Sequence, residues 1–369
     1  MPIQVLLVDD SPVVLMILKR LLDSTPDIEV AGTARNAREA LALIPKMHPQ
    51  VICTDLKMPE MDGIEFIREV MANFPRPILV LSAEVQTQDT QNVFRLLEAG
   101  AVDVLPKPMS GVTADLIAIK KELISKIKVL AGVTVFALHR RQTHITRNRL
   151  PLEQNYLNFT DLSDSFAPRA AIENADFPSL PIDIVGIGAS TGGPQALRSI
   201  LSQLPEDFRV PVICVQHISL GFLAGLVDWL ASECRLPVSI AKTGEIIQPG
   251  CIYFPPENRH LEITASGRVI YSLEPPCSGH RPSVTVLFNS IAKSYGAKSM
   301  GVLLTGMGKD GAQGMQAIAN AGGVTIAQNE PTSAVFGMPK EAIELGAVRH
   351  ILPIGAIGDA VTRSILKPS

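Results

Sequence analysis

The length, charge and composition of the chain exclude several classes of protein. With 369 residues it is long enough for about two domains, and a net charge of -3 gives no electrostatic reason to expect nucleic acid as a partner. No run approaches the ~18 apolar residues of a membrane span, and the opening MPIQVLLVDD has no signal-peptide pattern. Five cysteines without a C-x-x-C pair favour neither a disulfide framework nor a zinc site. We therefore expect a cytoplasmic protein that is not inserted into a membrane.

The first 131 residues alternate short β-rich runs with longer amphipathic ones. This alternation is typical of parallel βαβ units in a doubly wound α/β sheet. Strands are predicted at 3–8, 28–32, 51–54, 78–82 and 102–105. A last helix is predicted from Ala114 to Leu130, where apolar residues fall on one face and lysines on the other.

A polar stretch without periodicity, from about Leu138 to Leu180, predicts a linker. After it, apolar runs and amphipathic segments alternate again. Strands are predicted within IDIVGIG, VPVICVQH, IYFPP, GVLLTGMG and GGVTIAQ. The predicted organisation is an α/β domain at 1–131, a linker at 132–181 and a second α/β domain at 182–369, both domains having mainly parallel sheets.

Three acids and two further polar residues end strands of the first domain. Asp9 and Asp10 follow the first strand, Asp55 follows the third, Ser82 ends the fourth and Lys107 follows the fifth. In a doubly wound sheet these ends meet at the edge where ligands bind. Clustered carboxylates need a cation, and their oxygen atoms suit Mg²⁺. A single aspartate at a strand end can be only a cap or turn residue, but five matching strand ends favour a site.

The segments VDDSPV, TDLKMPEMDG, LSA and LPKP resemble those of two-component response-regulator receiver domains, which have a flavodoxin-like fold. The resemblance implies that Asp55 is the phosphoacceptor. It implies that Asp10, Asp55 and the backbone carbonyl of Lys57 hold Mg²⁺, with Asp9 assisting through water.

The same resemblance implies that Ser82 and Lys107 bind the phosphoryl oxygens. One position departs from the pattern. Val104 stands where such domains often have an aromatic switch residue, which puts the aromatic relay in doubt but not the phosphorylation chemistry.

The stretch GIGASTGG, at the start of the second domain, fits two patterns. As a dinucleotide fingerprint it fails, because Thr191 stands where the third glycine belongs. As G-x-S-x-G it fits a nucleophile, Ser190, on a tight turn between a strand and a helix. A phosphate-binding loop in which the serine has no catalytic role stays open as a non-enzymatic alternative, with the first domain gating the binding of a nucleotide or a protein.

A serine nucleophile needs a base and a carboxylate that orients the base. His217 ends the strand after the Ser190 helix, and Asp310 lies in the glycine-rich TGMGKDGAQG after another strand. Parallel strands would bring these residues to one sheet edge. His260 and His280 are rival bases, although neither follows an obvious strand.

Segments from GIGASTGGPQAL to FGMPKEAIELGAV resemble the chemotaxis protein-glutamate methylesterase (CheB) family, and the second domain is expected to be Rossmann-like. The resemblance implies Ser190 as nucleophile, His217 as base and Asp310 as orienting acid. It places Thr191 and the Met307 amide near the oxyanion. Departures occur at His280, where tyrosine is common, and at Thr285, where an acid is common. Neither is expected to touch the triad.

Together the two resemblances imply a phosphorylation-activated esterase. It would convert glutamate methyl esters on chemoreceptors to glutamate and methanol, and it would also deamidate glutamines. The implied partners are methyl-accepting chemotaxis receptors and a chemotaxis histidine kinase as phosphodonor, with no nucleic acid. The implied cofactor is Mg²⁺ in the receiver, with none for the esterase.

Overall fold

The computed structural model describes residues 1–82, 87–108, 113–133, 135 and 181–365, with no side chains given for 87–92 and 113–118. The chain divides into two compact units. The predicted linker lies almost entirely outside the described residues, so the domain bounds at 131 and 182 stay a prediction. Among the described helices, none has the length and apolarity needed to cross a membrane.

The first unit contains a five-stranded parallel sheet in the order β2-β1-β3-β4-β5. Its strands are β1 (Ile3–Val8), β2 (Ile28–Ala34), β3 (Val51–Asp55), β4 (Ile78–Ser82) and β5 (Asp103–Pro106). The five predicted strands are confirmed to within one or two residues. Strands β3 and β4 are buried along their whole length, as apolar runs covered on both faces of a parallel sheet should be.

The helices of this part of the chain are α1 (Pro12–Asp23), α2 (Ala37–Met47), α3 (Gly63–Asn73), α4 (Thr87–Glu98) and α5 (Thr113–Leu130). Helix α1 begins where Ser11 Oγ accepts the amide of Val14, a typical N-cap. The predicted last helix is confirmed as α5, and Leu123 and Ile127 on its apolar face are buried.

The second unit contains a seven-stranded parallel sheet in the order β14-β13-β12-β6-β7-β9-β8, with a separate antiparallel hairpin of β10 and β11. The strands are β6 (Ile184–Ala189), β7 (Val212–Gln216), β8 (Val238–Ile240), β9 (Ile252–Phe254), β10 (His260–Ile263), β11 (Val269–Ser272), β12 (Ser299–Leu303), β13 (Val324–Gln328) and β14 (His350–Leu352). All five predicted strands are present, and the mainly parallel α/β class is confirmed.

The helices of the second unit follow its strands. They are α6 (Gly193–Leu201), α7 (Leu223–Glu233), α8 (Val284–Tyr295), α9 (Ala312–Asn320), α10 (Met338–Glu344) and α11 (Ile354–Ile365).

Helix α8 packs unusually close to the central strand β6 because that strand carries glycines. A Cβ atom at Gly188 would lie 2.3 Å from a methyl group of Val284, and one at Gly186 would lie 2.9 Å from Ile291. No side chain fits in this space. The glycines therefore allow α8 to lie where its N-terminus reaches the C-terminal edge of the sheet.

We expect Gly188→Ala to lower the unfolding free energy of the second unit by about 1–3 kcal/mol, since the added methyl group overpacks the contact with Val284. Calorimetry of the full chain would measure this. A matched control is Gly32→Ala in β2, where the nearest atom to the new Cβ is 3.5 Å away. Equal melting temperatures for Gly188→Ala and wild type would contradict the close packing.

Candidate active site

Three carboxylates meet at the C-terminal edge of the first sheet. Asp9 and Asp10 follow β1, Asp55 ends β3, and one oxygen of each lies within 4.8 Å of the others. Asp9 and Asp55 are buried, whereas Asp10 is exposed. A set of hard oxygen ligands that is open to water on one side fits Mg²⁺. Lys57, the predicted carbonyl ligand, lies two residues after Asp55 in the loop that leaves β3.

The ammonium group of Lys107 lies between two of these acids. Its Nζ is 2.7 Å from Asp9 Oδ2 and 2.8 Å from Asp55 Oδ2. Burial acts to lower the pKa of Lys107, but the two carboxylates outweigh it and raise that pKa. Burial raises the pKa of Asp55 despite the lysine. Lys107 therefore stays charged beside the predicted phosphoacceptor.

The two remaining receiver positions lie on neighbouring strands. Ser82 is buried at the end of β4, next to β3. Val104 is buried within β5, at the position where the resemblance leads one to expect an aromatic side chain.

Ser190 lies on a tight turn between β6 and α6, as predicted. Gly192 has a φ of 75°, in the left-handed region that favours glycine, and α6 begins at the next residue. The amide of Ser190 donates to the carbonyl of Thr305 (3.0 Å), which fixes the turn against the loop after β12. Among the residues that the structure describes, no side chain caps the start of α6. The first-turn amides of this helix can therefore face a developing negative charge.

His217 and Asp310 form a hydrogen-bonded pair beside this turn. The residues Ser190, His217 and Asp310 follow β6, β7 and β12, three adjacent strands. His217 Nε2 is 2.9 Å from Asp310 Oδ2. The other ring nitrogen, Nδ1, is buried and has no hydrogen-bond partner in the described part of the chain. Nδ1 is thus the ring nitrogen that is available to accept a proton.

The N-terminus of α8 holds Asp310. Ser283 Oγ and the amide of Thr285 donate to Oδ1 (2.7 and 3.1 Å), and the amide of Val284 donates to Oδ2 (2.8 Å). Burial acts to raise the pKa of Asp310, but hydrogen bonds from His217 and Ser283 outweigh it and hold that pKa well below its usual range. A helix N-terminus also favours an anion. Asp310 therefore stays ionised and can fix the proton of His217 on Nε2.

One sequence expectation is wrong: both departures from the family pattern touch the predicted triad. The His280 ring stacks on His217, with centroids 3.8 Å apart and planes 5° from parallel. Thr285 donates its amide to Asp310, as described above. The reason is that the loop after β11 folds over the sheet edge and leads into α8, which no periodicity of the sequence reveals.

The structure also places His260, the other rival base, and the two residues that were predicted to lie near the oxyanion. His260 is fully buried in β10, and its Nε2 is 3.2 Å from the carbonyl of Pro275. It has the environment of a structural residue. Thr191 is buried next to Ser190 in the sequence, and Met307 is about half exposed in the loop after β12.

Two residues that hydrogen-bond the predicted site residues, Ser283 and Gln216, could not be identified from the sequence pattern. Ser283 has the pattern of an N-cap before an apolar helix, and it does cap α8 by accepting the amide of Val286 (3.3 Å). No feature of the sequence predicts the hydrogen bond from Ser283 Oγ to Asp310. Gln216, next to His217, lies at the end of β7, and the strand pattern carries no signal for a role of its side chain.

Comparisons with known proteins show the family of the chain. Residues 185–361 match the family model of the CheB methylesterase, and residues 5–118 match that of the response regulator receiver domain. A protein-glutamate methylesterase/protein-glutamine glutaminase of Syntrophus aciditrophicus is 39% identical over 95% of this chain and 95% of its own length. This chain belongs to that family.

Another family member, from Anaeromyxobacter dehalogenans, is 42% identical over 98% of this chain and 96% of its own length. Among solved structures, the Thermotoga maritima CheB methylesterase catalytic domain is 37% identical, with a TM-score of 0.48. It matches over 50% of this chain and 99% of that domain. Family membership confirms both resemblances that were drawn from the sequence.

We expect Asp310→Asn to destabilise the second unit in a pH-dependent way. The carboxylate pKa is lowered by folding, so its contribution is complete above the unfolded pKa of about 4 and is lost as pH falls through the folded pKa. The difference in unfolding free energy between wild type and variant should be constant above about pH 5 and smaller near pH 3. Denaturant titrations across this range measure it. A difference that grows on acidification would contradict the ionised state of Asp310.

Proposed function

We propose that this chain hydrolyses the γ-methyl esters of glutamate side chains on chemoreceptors, and deamidates glutamines there, under the control of Asp55 phosphorylation. The observation that carries the proposal is the buried pair of His217 and Asp310 beside Ser190, at the ends of three adjacent strands. A serine that only lined a phosphate loop would not need this pair.

In the proposed reaction, Ser190 Oγ attacks the ester carbonyl while His217 Nδ1 takes its proton. The tetrahedral oxyanion forms beside Thr191, the Met307 amide and the first turn of α6. Each such donor contributes roughly 3–4 kcal/mol to lowering the barrier. His217 then gives this proton to the departing methoxide oxygen, which leaves as methanol, or to the amide nitrogen, which leaves as ammonia when the substrate is glutamine. Water attacks the acyl-enzyme, His217 acts again as base, and glutamate and free Ser190 result.

The receiver supplies control through a second reaction. Asp55 Oδ takes a phosphoryl group from a histidine kinase, and Ser82 and Lys107 bind its oxygens. Asp10, Asp55 and the Lys57 carbonyl would hold Mg²⁺, with Asp9 acting through water. When bound, this ion neutralises charge on the transferred group. We expect the protein to act in the cytoplasm, where its substrates are receptors that are held in the membrane.

We expect Ser190→Ala to abolish methanol release from methylated receptor while leaving the melting temperature close to that of wild type, because a half-buried turn serine contributes little packing. Reaction of wild type with a fluorophosphonate, and loss of that reaction in the variant, would check the nucleophile independently of the substrate. Wild-type methanol release by Ser190→Ala would refute the assignment.

A further expectation concerns Asp55. Acetyl phosphate with Mg²⁺ should raise the methanol release of wild type, and Asp55→Asn should give the unstimulated rate with or without the phosphodonor, since the acceptor oxygen is lost. Asp27→Asn removes an exposed carboxylate that pairs with Lys128 and serves as control, with a normal response. Stimulation of Asp55→Asn equal to that of wild type would exclude Asp55 as the site.

A further inference from the structure

Gln216 joins the backbones of the proposed nucleophile and base. Its side-chain Nε2 donates to the carbonyl of Ser190 (2.7 Å) and to the carbonyl of His217 (2.8 Å). The residue is 4% exposed. Both partners are acceptors, so only the NH₂ end of the amide can face them. The two carbonyl acceptors therefore determine which way the Gln216 amide faces.

The hydrogen bonds of the Gln216 side chain lie directly beyond the last backbone hydrogen bond between β6 and β7. Strands β6 and β7 pair as far as Ala189 and Gln216, and the last ladder bond runs from the His217 amide to the Ala189 carbonyl (3.0 Å). Beyond it, the Ser190 amide turns to the other neighbour and bonds Thr305. The Gln216 side chain thus continues the connection between β6 and β7 by one more residue on each strand.

The glycine after the turn leaves the space that this amide occupies. A Cβ at Gly193 would lie 1.9 Å from Gln216 Oε1. The Gly193 amide donates to the same Ser190 carbonyl (2.8 Å), so this carbonyl is held from two sides. The last glycine of the G-x-S-x-G-G stretch, Gly193, therefore has a structural reason: it lets the Gln216 amide lie beneath the turn.

We infer that Gln216 is a positioning residue, which fixes the distance and orientation between Ser190 and His217 through their carbonyl groups. This inference rests on the proposed function of the two residues. Gln216 does not touch the reacting atoms. A displacement of about 1 Å between nucleophile and base can cost a hundredfold in rate, so loss of the connection should appear in kcat rather than in KM.

Two variants test the inference. Gln216→Met keeps the length of the side chain but loses both donors, and we expect kcat to fall by at least about tenfold, with an unchanged KM. Gln216→Glu keeps the shape but places a carboxylate against two carbonyls. Its pKa in this buried position is raised, and once protonated it can donate one hydrogen bond. The ratio of its kcat to that of wild type should therefore increase as pH falls, whereas the ratio for Gln216→Met should stay flat.

The control is Ser290→Ala. Ser290 is a buried polar residue that accepts from the Ile263 amide (3.1 Å) and donates to the Leu287 carbonyl (2.8 Å). It lies about two turns along α8 from the end that holds Asp310. We expect this variant to have a lower melting temperature than wild type but the same kcat.

The assays are methanol release from methylated receptor and the rate constant of fluorophosphonate labelling, each on the full chain with circular dichroism as the check of folding. Labelling needs no receptor, so it tests Gln216 even if wild type releases no methanol and the proposed substrate is wrong. A kcat and a labelling rate of Gln216→Met within about twofold of wild type would overturn the inference, as would equal, pH-independent losses in both variants. If Gln216→Met does not fold, the pH response of Gln216→Glu decides alone.

Discussion

The buried carboxylate of Asp310 is the group on which the arrangement of the second unit depends. An unpaired charge at 1% exposure would cost several kcal/mol, and this one is compensated by Ser283, the first amides of α8 and His217. The helix reaches it only because Gly186 and Gly188 leave β6 bare on that side. The packing of one helix on one strand thus determines that Nε2 of His217 is occupied by Asp310, and Nδ1 has no hydrogen-bond partner among the described residues.

The two units have the same arrangement of polar residues at one edge of a parallel sheet, although the residues differ in chemistry. In each, parallel strands end at a common edge, and the predicted site residues lie at the ends of those strands or in the loops that follow them. The first edge collects Asp9, Asp55 and Lys107, a set suited to a metal and a phosphoryl group. The second collects Ser190 and the pair of His217 and Asp310, a set suited to acyl transfer. The function of each unit lies in its strand ends rather than in its fold.

Much of this could be predicted from the sequence, because strand runs, glycine turns and strand-end polar residues are local signals. The five strands of the first unit, and the location of Ser190, His217 and Asp310 at one sheet edge, follow from them. Contacts made by loops that return to the sheet edge could not be predicted. His280 lies 63 positions beyond His217 in the sequence yet stacks on it, and the turn that brings it there has no periodicity. Gln216 was hidden for another reason: its role lies in its side-chain amide, which a strand pattern does not register.

We propose that Ser190 is an ester-hydrolysing nucleophile whose activity depends on the phosphorylation of Asp55. The most direct measurement is methanol release from methylated receptor by wild type, Ser190→Ala and Asp55→Asn, each with and without acetyl phosphate and Mg²⁺. We expect methanol release by wild type that the phosphodonor increases, an unstimulated rate for Asp55→Asn, and no release by Ser190→Ala. Release by Ser190→Ala at the wild-type rate, or an equal phosphodonor response in Asp55→Asn, would contradict it.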